Sequence, residues 1–348
     1  MSLEVKIKKR LGAFLLDVDF TVEDKGIMAL LGASGCGKSM TLRSIAGIVR
    51  PDEGRIVLNG QTLFDSEKKI NLPPQKRKVG YLFQNYALFP NMTVEQNIAC
   101  GMRYEKNKAV RKKAVSDMIK KMQLVGLEKH KPDQLSGGQQ QRTALARILV
   151  QKPEVLLLDE PLSALDSYLK DQLLTELRHL LKSFDKEVLF VTHSRDEVYD
   201  LCEYTAVMEH GGIITLGKTK EIFDDPGTRG AAILTGCKNI IPAEKIGEKQ
   251  VLVPAWGVML QTAQEIQDGL WGIGIRAHYF DPAQQQNAYP IQIVEEIEEP
   301  FAWIVKFRFK GQNEESDLIW WRISKSERRE KRPIKLGIAP EDILLLYS

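Results

Sequence analysis

The first ten residues alternate between apolar and charged side chains. In MSLEVKIKKR, Leu3, Val5 and Ile7 are separated by acidic or basic residues. A period of two places alternate side chains on opposite faces of a strand. We therefore predict a half-buried strand at the start of the chain, and not the apolar core of a signal peptide.

Up to about residue 235, short apolar runs alternate with amphipathic stretches of helical period. The runs are RIVLNG, VGYLFQ, EVLLLDE, EVLFVTH and YTAVMEHGGIITLG. Strands that alternate with helices indicate an α/β fold with a mainly parallel sheet. No comparable run occurs from about 85 to 150. We expect an all-helical subdomain in that region.

One helical stretch allows two interpretations. KNKAVRKKAVSDMIKKMQLVGL gives a stripe of Val110, Ala114, Met118 and Met122, with lysines on the other faces. A basic amphipathic helix of this kind can lie on a membrane surface. A helix packed into the subdomain with a solvated basic face has the same pattern, and we favour it.

After residue 235 the chain changes to strand-like runs separated by polar turns. These runs are VLVPAWGVMLQT, LWGIGIRAHYF, YPIQIVEEI, FAWIVKFRF and DLIWWRIS. Short strands in series favour a small all-β domain, an OB-like barrel. We predict two domains, residues 1–235 and 236–348, of which the second is an accessory or regulatory domain.

Three glycines crowd one strand-to-helix junction, LLGASGCGKSMTLRSIAG, in the pattern Gly32-x-x-x-x-Gly37-Lys38-Ser39. Glycine lets successive N–H groups turn inward as an anion nest, and the following helix N-terminus favours the same charge. The lysine would reach outer phosphates and the serine would ligate Mg²⁺. The predicted phosphate loop comprises Gly32, Ala33, Ser34, Gly35, Cys36, Gly37, Lys38, Ser39 and Met40.

Two further segments suit the same chemistry. VLLLDEP ends a predicted buried strand with Asp159, a candidate Mg²⁺ ligand, and Glu160, a candidate to orient and polarise the attacking water. LSGGQQQR begins a second helix whose N-terminus can face an anion. The residues of this second nest are Ser136, Gly137, Gly138 and Gln139. One nucleotide needs one nest, so we expect the second to serve a nucleotide on another copy.

Composition narrows the functional classes. With 348 residues, 43% hydrophobic and 27% charged, the chain is globular and long enough for about two domains. A net charge of +3 does not indicate a nucleic-acid partner. Four cysteines without a C-x-x-C pair suit a reduced cytosolic chain without structural zinc. No apolar run reaches the roughly 20 residues that span a bilayer, so a membrane role requires a partner.

Together the motifs resemble those of the ATP-binding subunits of ABC transporters. The phosphate loop, Gln84 after a strand, LSGGQ, LLLDEP, SALD and His193 follow in that family's order over most of residues 1–235. The resemblance implies ATP and Mg²⁺ as cofactors, ATP hydrolysis and a homodimer. It also implies attachment to integral-membrane permease subunits at the cytoplasmic face of the cell membrane.

The resemblance further implies roles for single residues. Gln84 would contact Mg²⁺ and the attacking water. His193 would bind the γ-phosphate and Glu160, and Asp166 would act across the dimer interface. The family usually has threonine where this chain has Met40, so a hydroxyl near the α-phosphate is lost.

The adenine contact stays unassigned at the level of sequence. The family often stacks an aromatic ring on the base from a loop near residue 10, and KKRLGAFLL has no well-placed ring. Phe14 is expected in the strand core, and Arg10 is the other candidate.

A single nucleotide domain followed by a β-rich domain resembles importer subunits, which obtain solutes indirectly from an extracytoplasmic solute-binding protein. Exporters commonly fuse the ATPase to membrane helices. The alternative class is a soluble ABC ATPase of DNA repair or translation. Those proteins have long coiled-coil insertions or a second nucleotide domain, and this sequence has neither.

The segment TGCKNIIPAEKI resembles the start of oxyanion-binding units in molybdate and tungstate proteins. Lys238 would supply charge, Asn239 an amide donor, and Gly236 and Cys237 backbone N–H groups. Ser324, Lys325 and Ser326 are further candidate donors. A domain linker would have the same residues. We expect molybdate or tungstate, ahead of sulfate, ferric iron, polyamine or sugar, and hypothesise that oxyanion bound here inhibits ATP hydrolysis.

Overall fold

The computed structural model describes residues 2–23, 26–163, 167–327 and 332–347. The chain divides into two compact units, Met1–Thr219 and Lys220–Ser348. Residues 220–235 belong to the second unit, whereas the sequence pattern put the boundary after residue 235. One cause is Arg276, whose guanidinium donates to the carbonyl oxygens of Phe223 and Thr235 and ties this segment to the second unit.

The strands of the first unit form two sheets. They are β1 (Ser2–Leu11), β2 (Phe14–Glu23), β3 (Ile27–Gly32), β4 (Glu53–Leu58), β5 (Gln61–Asp65), β6 (Ile70–Asn71), β7 (Val79–Leu82), β8 (Val155–Asp159), β9 (Glu187–Thr192), β10 (Tyr204–Glu209) and β11 (Gly212–Lys218). One antiparallel sheet has the order β2-β1-β4-β5-β6. The other has the order β11-β10-β3-β9-β8-β7, and all neighbours from β10 to β7 are parallel. The predicted α/β fold is confirmed.

The helices of the first unit are α1 (Lys38–Ala46), α2 (Val94–Cys100), α3 (Lys108–Lys121), α4 (Gly137–Leu149), α5 (Ser167–Lys182) and α6 (Arg195–Leu201). Residues 83–154, all described, contain helices and no strand. The predicted apolar stripe of α3 was partly wrong: Met122 is 3% exposed as expected, but Val110 is 47% exposed, and Val115 and Ile119 form the buried face of the helix. Residues four apart drift about 40° per step around a helix of 3.6 residues per turn, so the predicted stripe winds off the face.

Helix α1 is anchored along its length and at its C-terminal end. Leu42 and Ile45 are fully buried in a core shared with strands of both sheets. The Arg77 guanidinium donates to the carbonyl oxygens of Ser44 and Ile45, both at 2.8 Å. Burial lowers the pKa of Arg77 to about 10, so the side chain stays cationic at neutral pH.

The second unit is built mainly from strands. They are β12 (Asn239–Pro242), β13 (Glu244–Gly247), β14 (Gln250–Val253), β15 (Val258–Gln261), β16 (Gly272–Ile275), β17 (Tyr289–Glu298), β18 (Ala302–Phe309), β19 (Ile319–Ser324), β20 (Lys335–Leu336) and β21 (Ile343–Leu346). Two short helices precede them, α7 (Thr219–Asp224) and α8 (Arg229–Leu234).

These strands form three antiparallel sheets, β12-β16-β21, β13-β14-β15 and β19-β18-β17-β20. The larger of two apolar clusters contains Trp256, Phe280, Phe307 and Phe309, and a smaller one forms around Cys237 and Leu346. The pairings of the described residues do not join into one closed sheet, so an OB-like barrel stays a prediction. In neither unit does the described part of the chain contain a helix long and apolar enough to cross a membrane.

Candidate nucleotide site

The phosphate loop, residues 32–40, connects the fully buried strand β3 to helix α1. Gly35 and Gly37 have φ of +82° and +109°, a region that side chains with a Cβ adopt rarely. A Cβ on Gly37 would also lie 2.6 Å from Leu16 Cδ1 of β2. Glycine is therefore required here both for backbone conformation and for space.

The loop exposes unpaired N–H groups. In the described part of the chain, the N–H groups of Gly35, Gly37, Lys38 and Ser39 donate to no protein acceptor, and that of Cys36 donates to Ala33 O. Free N–H groups at the start of a helix form a nest for an anion. The loop thus fits phosphate by its backbone alone.

The Lys38 side chain is folded onto the same loop. Its ammonium donates to the carbonyl oxygens of Gly32 and Ala33 at 2.7 and 2.8 Å, and Cys36 Sγ lies 3.7 Å away. Lys38 is 5% exposed, and no carboxylate of the described residues pairs with it. A buried charge held only by neutral groups is costly, so the site fits a negatively charged ligand.

Asp159 ends strand β8 beside the loop and is 3% exposed. Ser39 Oγ donates to Asp159 Oδ1, and the Tyr81 hydroxyl donates to Asp159 Oδ2, both at 2.7 Å. Burial, and secondarily the bond to Asp159, raises the pKa of Tyr81 far above its usual value, so the hydroxyl remains a donor. A hydroxyl next to a carboxylate fits Mg²⁺, which takes one or two such ligands together with phosphate oxygens and water.

Glu160 lies one residue further and is surrounded by polar side chains. Gln84 Nε2 lies 3.3 Å from Glu160 Oε2, and His193 Nδ1 lies 3.5 Å from the same oxygen. Gln84 Nε2 also contacts Ser163 Oγ at 3.2 Å, and that hydroxyl donates to the Glu160 carbonyl oxygen at 2.9 Å. The structure therefore brings together three residues that the sequence singled out separately: Gln84, Glu160 and His193.

The backbone of Glu160 is unusual for a residue with a side chain. Its φ is +47°, in the left-handed region, and its N–H donates to Val191 O at 2.9 Å. Strained conformations of this kind persist where the surroundings enforce them, often at functional sites. The turn directs the carboxylate away from the strand axis and toward Gln84 and His193.

The second nest, residues 136–139, forms the start of helix α4. Ser136 is the N-cap: its hydroxyl accepts from the N–H of Gln139, and the Gln139 side chain accepts from the N–H of Ser136. Gly138 packs against Leu173, where an added Cβ would lie 3.0 Å away. Within the described residues, no hydrogen bond joins these residues to the phosphate loop of the same chain.

Three further sequence predictions concern the same unit. Met40 packs against the core, as does Phe14, which was expected in the strand core. The N–H of Arg10 donates to Asp52 Oδ2. Asp166 lies outside the described residues.

The predicted oxyanion donors are used within the second unit. The N–H groups of Gly236 and Cys237 donate to the carbonyl oxygens of Ile233 and Ala232 at the C-terminal end of α8. We expected these N–H groups to be accessible, and that was wrong because they cap a helix. Burial raises the pKa of the Cys237 thiol to about 11.

Asn239 is likewise occupied. It is 5% exposed; its amide nitrogen donates to the carbonyl oxygens of Ile275 and Trp320, and its amide oxygen accepts from the N–H of Trp320. These bonds tie β12 to β16 and β19. Lys238 is exposed, with its ammonium 5.8 Å from the centre of the Trp320 ring.

The second group of predicted donors is paired with acids. Lys325 forms an ion pair with Glu298 at 2.7 Å. Ser324 Oγ donates to Glu327 Oε2 at 2.9 Å and contacts Ser326 Oγ at the same distance. The hydrogen bonds and ion pairs of the described residues do not join these side chains to Lys238 or its neighbours, so the predicted oxyanion site is not assembled.

Sequence reasoning missed the residues that support the site from neighbouring strands. From the sequence, Tyr81 was predicted only to lie in a strand, and Ser163 was recognised only as part of the SALD motif. One signal was present: a tyrosine near the carboxyl end of a buried strand has a polar tip that requires a partner.

Comparison with known families bears on this site directly. The profile of the ABC transporter family matches residues 15–163, which include the phosphate loop, the second nest and Glu160. A solved structure, the dimer of an ATP-binding cassette in a post-hydrolysis state bound to ADP and Pi, is similar with a TM-score of 0.53 and 27% identity. That similarity covers 63% of this chain and 99% of the solved one.

Curated relatives extend the match beyond this region. The molybdate/tungstate import ATP-binding protein of Archaeoglobus fulgidus is 43% identical over 71% of this chain and 99% of its own length. The sulfate/thiosulfate import ATP-binding protein of Synechococcus elongatus is 41% identical over 68% of both chains. The spermidine/putrescine import ATP-binding protein of Legionella pneumophila is 36% identical over 82% of this chain and 76% of its own. The chain therefore belongs to the ABC transporter family, as one of its ATP-hydrolysing subunits.

Proposed function

We propose that this chain energises an ABC importer by hydrolysing ATP. The observation that carries the proposal is two groups of contacts at consecutive residues beside a phosphate loop: Ser39 with Asp159, and Gln84 and His193 with Glu160. Import is inferred from relatives that are named import ATP-binding proteins and match at least 68% of the chain.

In this mechanism, the loop and the metal ligands hold the nucleotide. The free N–H groups and Lys38 would bind the outer phosphates, and Ser39, Asp159 and Gln84 would hold Mg²⁺. Bound Mg²⁺ supplies positive charge beside the phosphoryl group that is transferred to water.

Glu160 then acts on the attacking water. Its carboxylate accepts a proton from the water while Gln84 and His193 fix its orientation through their contacts with Oε2. His193 is 58% exposed in its side chain, so it is free to reach the γ-phosphate as well. Stabilisation of the transferred phosphoryl charge comes from Lys38 and the loop N–H groups.

A homodimer completes the site in this proposal. The N–H groups of Gly137 and Gly138 have no acceptor among the described residues, those of Ser136 and Gln139 are used in the N-cap, and no hydrogen bond joins this nest to the phosphate loop of its own chain. We assign it, with Asp166, to the nucleotide of the partner copy. The dimer would dock on permease subunits at the cytoplasmic face of the membrane and respond indirectly to an extracytoplasmic solute-binding protein.

We propose a tetrahedral oxyanion, molybdate or tungstate, as the solute. Two of the relatives reported above have oxyanion solutes in their names, and one of these is matched over 99% of its length. A polyamine importer subunit is the competing relative. The solute is expected to contact the permease, so the ATPase unit itself does not decide between these classes.

Uptake by cells tests the importer and its solute together. Cells that lack the gene would be complemented with the unmutated chain or with Glu160→Gln, and supplied in parallel with labelled molybdate, tungstate, sulfate or spermidine. We expect molybdate or tungstate uptake to be restored only by the unmutated chain. Restored spermidine uptake would overturn the solute, and unchanged uptake of every solute would favour a soluble ATPase.

We also propose that cytosolic oxyanion inhibits the assembled transporter through Lys238. Of the predicted donors, Lys238 is exposed and has no ion pair among the described residues, whereas Lys325 is paired. ATPase activity would be titrated with molybdate, and with spermidine as a cationic control. Lys238→Ala should relieve inhibition and Lys325→Ala should not. No inhibition of the unmutated transporter, or equal inhibition of Lys238→Ala, would overturn the regulatory role.

A further inference from the structure

Tyr81 is hydrogen-bonded to one of the proposed Mg²⁺ ligands. Its hydroxyl donates to Asp159 Oδ2 at 2.7 Å, while Ser39 Oγ donates to Oδ1 of the same carboxylate. We infer that Tyr81 is a positioning residue that holds the Asp159 carboxylate in the orientation needed to share a metal ion with Ser39. The inference concerns the ATPase site and holds for any transported solute.

The Asp159 side chain needs such support because its terminal torsion is soft. The χ2 angle of an aspartate has a broad, roughly two-fold distribution, so the backbone of β8 does not fix the plane of the carboxylate. Asp159 is 3% exposed, so bulk water does not replace a lost hydrogen bond. A bond to each oxygen fixes the plane from two sides.

The tyrosine is itself held in place. Strand β7 pairs in parallel with β8, with Tyr81 opposite Leu157, two residues before Asp159. The Tyr81 ring packs against Phe83 with centroids 4.4 Å apart. The Arg43 side chain, which belongs to α1, the helix that carries Ser39, lies close enough to the Tyr81 hydroxyl to lower its pKa and so oppose part of the rise. Asp159 is thus held through Oδ1 by α1 and through Oδ2 by β7.

Tyr86 is a buried tyrosine of the same region that does not hydrogen-bond Asp159. It is 4% exposed, and its hydroxyl lies 3.3 Å from the carbonyl oxygen of Pro161. It has no contact with a carboxylate among the described residues. Tyr86→Phe is therefore a matched control that removes a buried hydroxyl without touching Asp159.

Metal affinity of the ADP-bound, full-length chain tests the inference directly. Mn²⁺ would be titrated, and free Mn²⁺ measured by electron paramagnetic resonance. We expect Tyr81→Phe to weaken Mn²⁺ binding about 10-fold, the lower end for residues that orient metal ligands. Affinity for ADP measured in EDTA should be unchanged, and Tyr86→Phe should bind Mn²⁺ like the unmutated chain.

Two outcomes overturn the inference: unchanged or tighter Mn²⁺ binding by Tyr81→Phe, or an equal loss in Tyr86→Phe. Should Tyr81→Phe fail to fold, Arg43→Met removes, from an exposed position, the charged side chain beside the Tyr81 hydroxyl. It should weaken Mn²⁺ binding in the same direction by a smaller factor. Unchanged binding in Arg43→Met would then overturn the role of Tyr81.

Discussion

Two turns of this chain have nearly the same residues and opposite surroundings. SGCGKS, residues 34–39, leads into helix α1, whereas TGCKN, residues 235–239, follows helix α8. In the described part of the chain, four N–H groups of the first turn have no protein acceptor and only that of Cys36 donates within the loop, whereas those of Gly236 and Cys237 bind helix carbonyls. A helix presents donors at its start and acceptors at its end. Similar residues therefore form an anion nest when they precede a helix and a C-terminal cap when they follow one.

The lysines and their polar neighbours differ in the same way. Lys38 is buried on the loop, and Ser39 beside it faces a carboxylate. Lys238 is exposed, and Asn239 uses its whole amide to join strands. The first turn leaves four backbone N–H groups without a protein acceptor among the described residues, whereas the second turn uses the N–H groups of Gly236 and Cys237 and the amide of Asn239 within the fold.

Replacement of each lysine by alanine should produce the largest difference in ATP hydrolysis between the two turns. We expect Lys38→Ala to reduce ATP hydrolysis about 100-fold or more, because a buried charge beside the transferred phosphate is removed. Lys238→Ala should leave hydrolysis without added oxyanion unchanged. Steady-state phosphate release from both variants measures this. Similar losses in the two would contradict the difference between the turns.

In the proposed mechanism the first turn binds nucleotide and Glu160 acts on water, so a change at Glu160 should reduce turnover without weakening nucleotide binding. We expect Glu160→Gln to reduce turnover by a factor of about 10² to 10⁴ while nucleotide affinity stays near normal, because the amide cannot accept the proton. Calorimetric ATP binding and single-turnover kinetics measure the two. Glu154→Gln, one residue before the start of β8, is the control, and near-normal turnover of Glu160→Gln would remove its role.

The nest at residues 136–139 is a third turn of this kind and precedes helix α4. Because the phosphate loop already provides one nest per nucleotide, we expect this second nest to bind the nucleotide of the partner copy. Ser136→Arg should abolish hydrolysis and spare ATP binding by the isolated chain. Mixed with Lys38→Ala, it should restore at most one composite site per dimer. Thr93→Arg removes a similar cap from α2 and should cost only about 1 kcal/mol of stability. Loss of ATP affinity in Ser136→Arg monomers would place the nest in its own site.

Asn239 tests the structural character of the second turn. We expect Asn239→Ala to lower the free energy of unfolding by about 2 to 3 kcal/mol, because buried groups of Ile275 and Trp320 lose their partners. Thermal unfolding followed by near-ultraviolet circular dichroism measures the change. Molybdate that stabilised the unmutated chain but not this variant would instead make Asn239 a ligand.

Cysteine labelling gives the smallest and most local contrast. Cys36 and Cys237 are both buried, yet only Cys36 lies in the phosphate loop. We expect MgATP to protect Cys36 from maleimide. Cys237, whose pKa is raised to about 11, should label only near that pH or after unfolding. Peptide mass spectrometry at pH 7 with and without MgATP checks this, and labelling of Cys36 that ignores nucleotide would contradict the loop's position.

The sequence predicted what depends on local periodicity. Leu3, Val5 and Ile7 are buried on one face of β1 as expected. The short apolar runs correctly predicted the mainly parallel sheet. The stripe predicted on α3 was only partly right, because a step of four residues is not the helical period. The position of residues 220–235 depends on bonds from Arg276, more than 40 residues away in sequence, which no local pattern contains.

The candidate site was predictable where one motif carries its own geometry. The phosphate loop encodes its conformation in Gly35 and Gly37. Tyr81 and Ser163 were missed because their roles come from pairings between strands or turns distant in sequence. The prediction that the N–H groups of Gly236 and Cys237 are accessible was wrong. The residue types in this turn do not indicate that it follows the C-terminal end of a helix.

The buried Arg77 has a consequence for the range over which α1 attracts its ligand. An isolated helix carries about half a positive charge at its N-terminus and half a negative charge at its C-terminus, so its field weakens quickly with distance. The Arg77 guanidinium contacts the carbonyl end of α1 and more than cancels the negative half. Seen from an approaching phosphate, α1 then acts as a net positive charge and not as a dipole. The interaction energy of a net charge with phosphate decreases only with the first power of distance. This energy therefore extends further from the loop than that of the helix dipole alone.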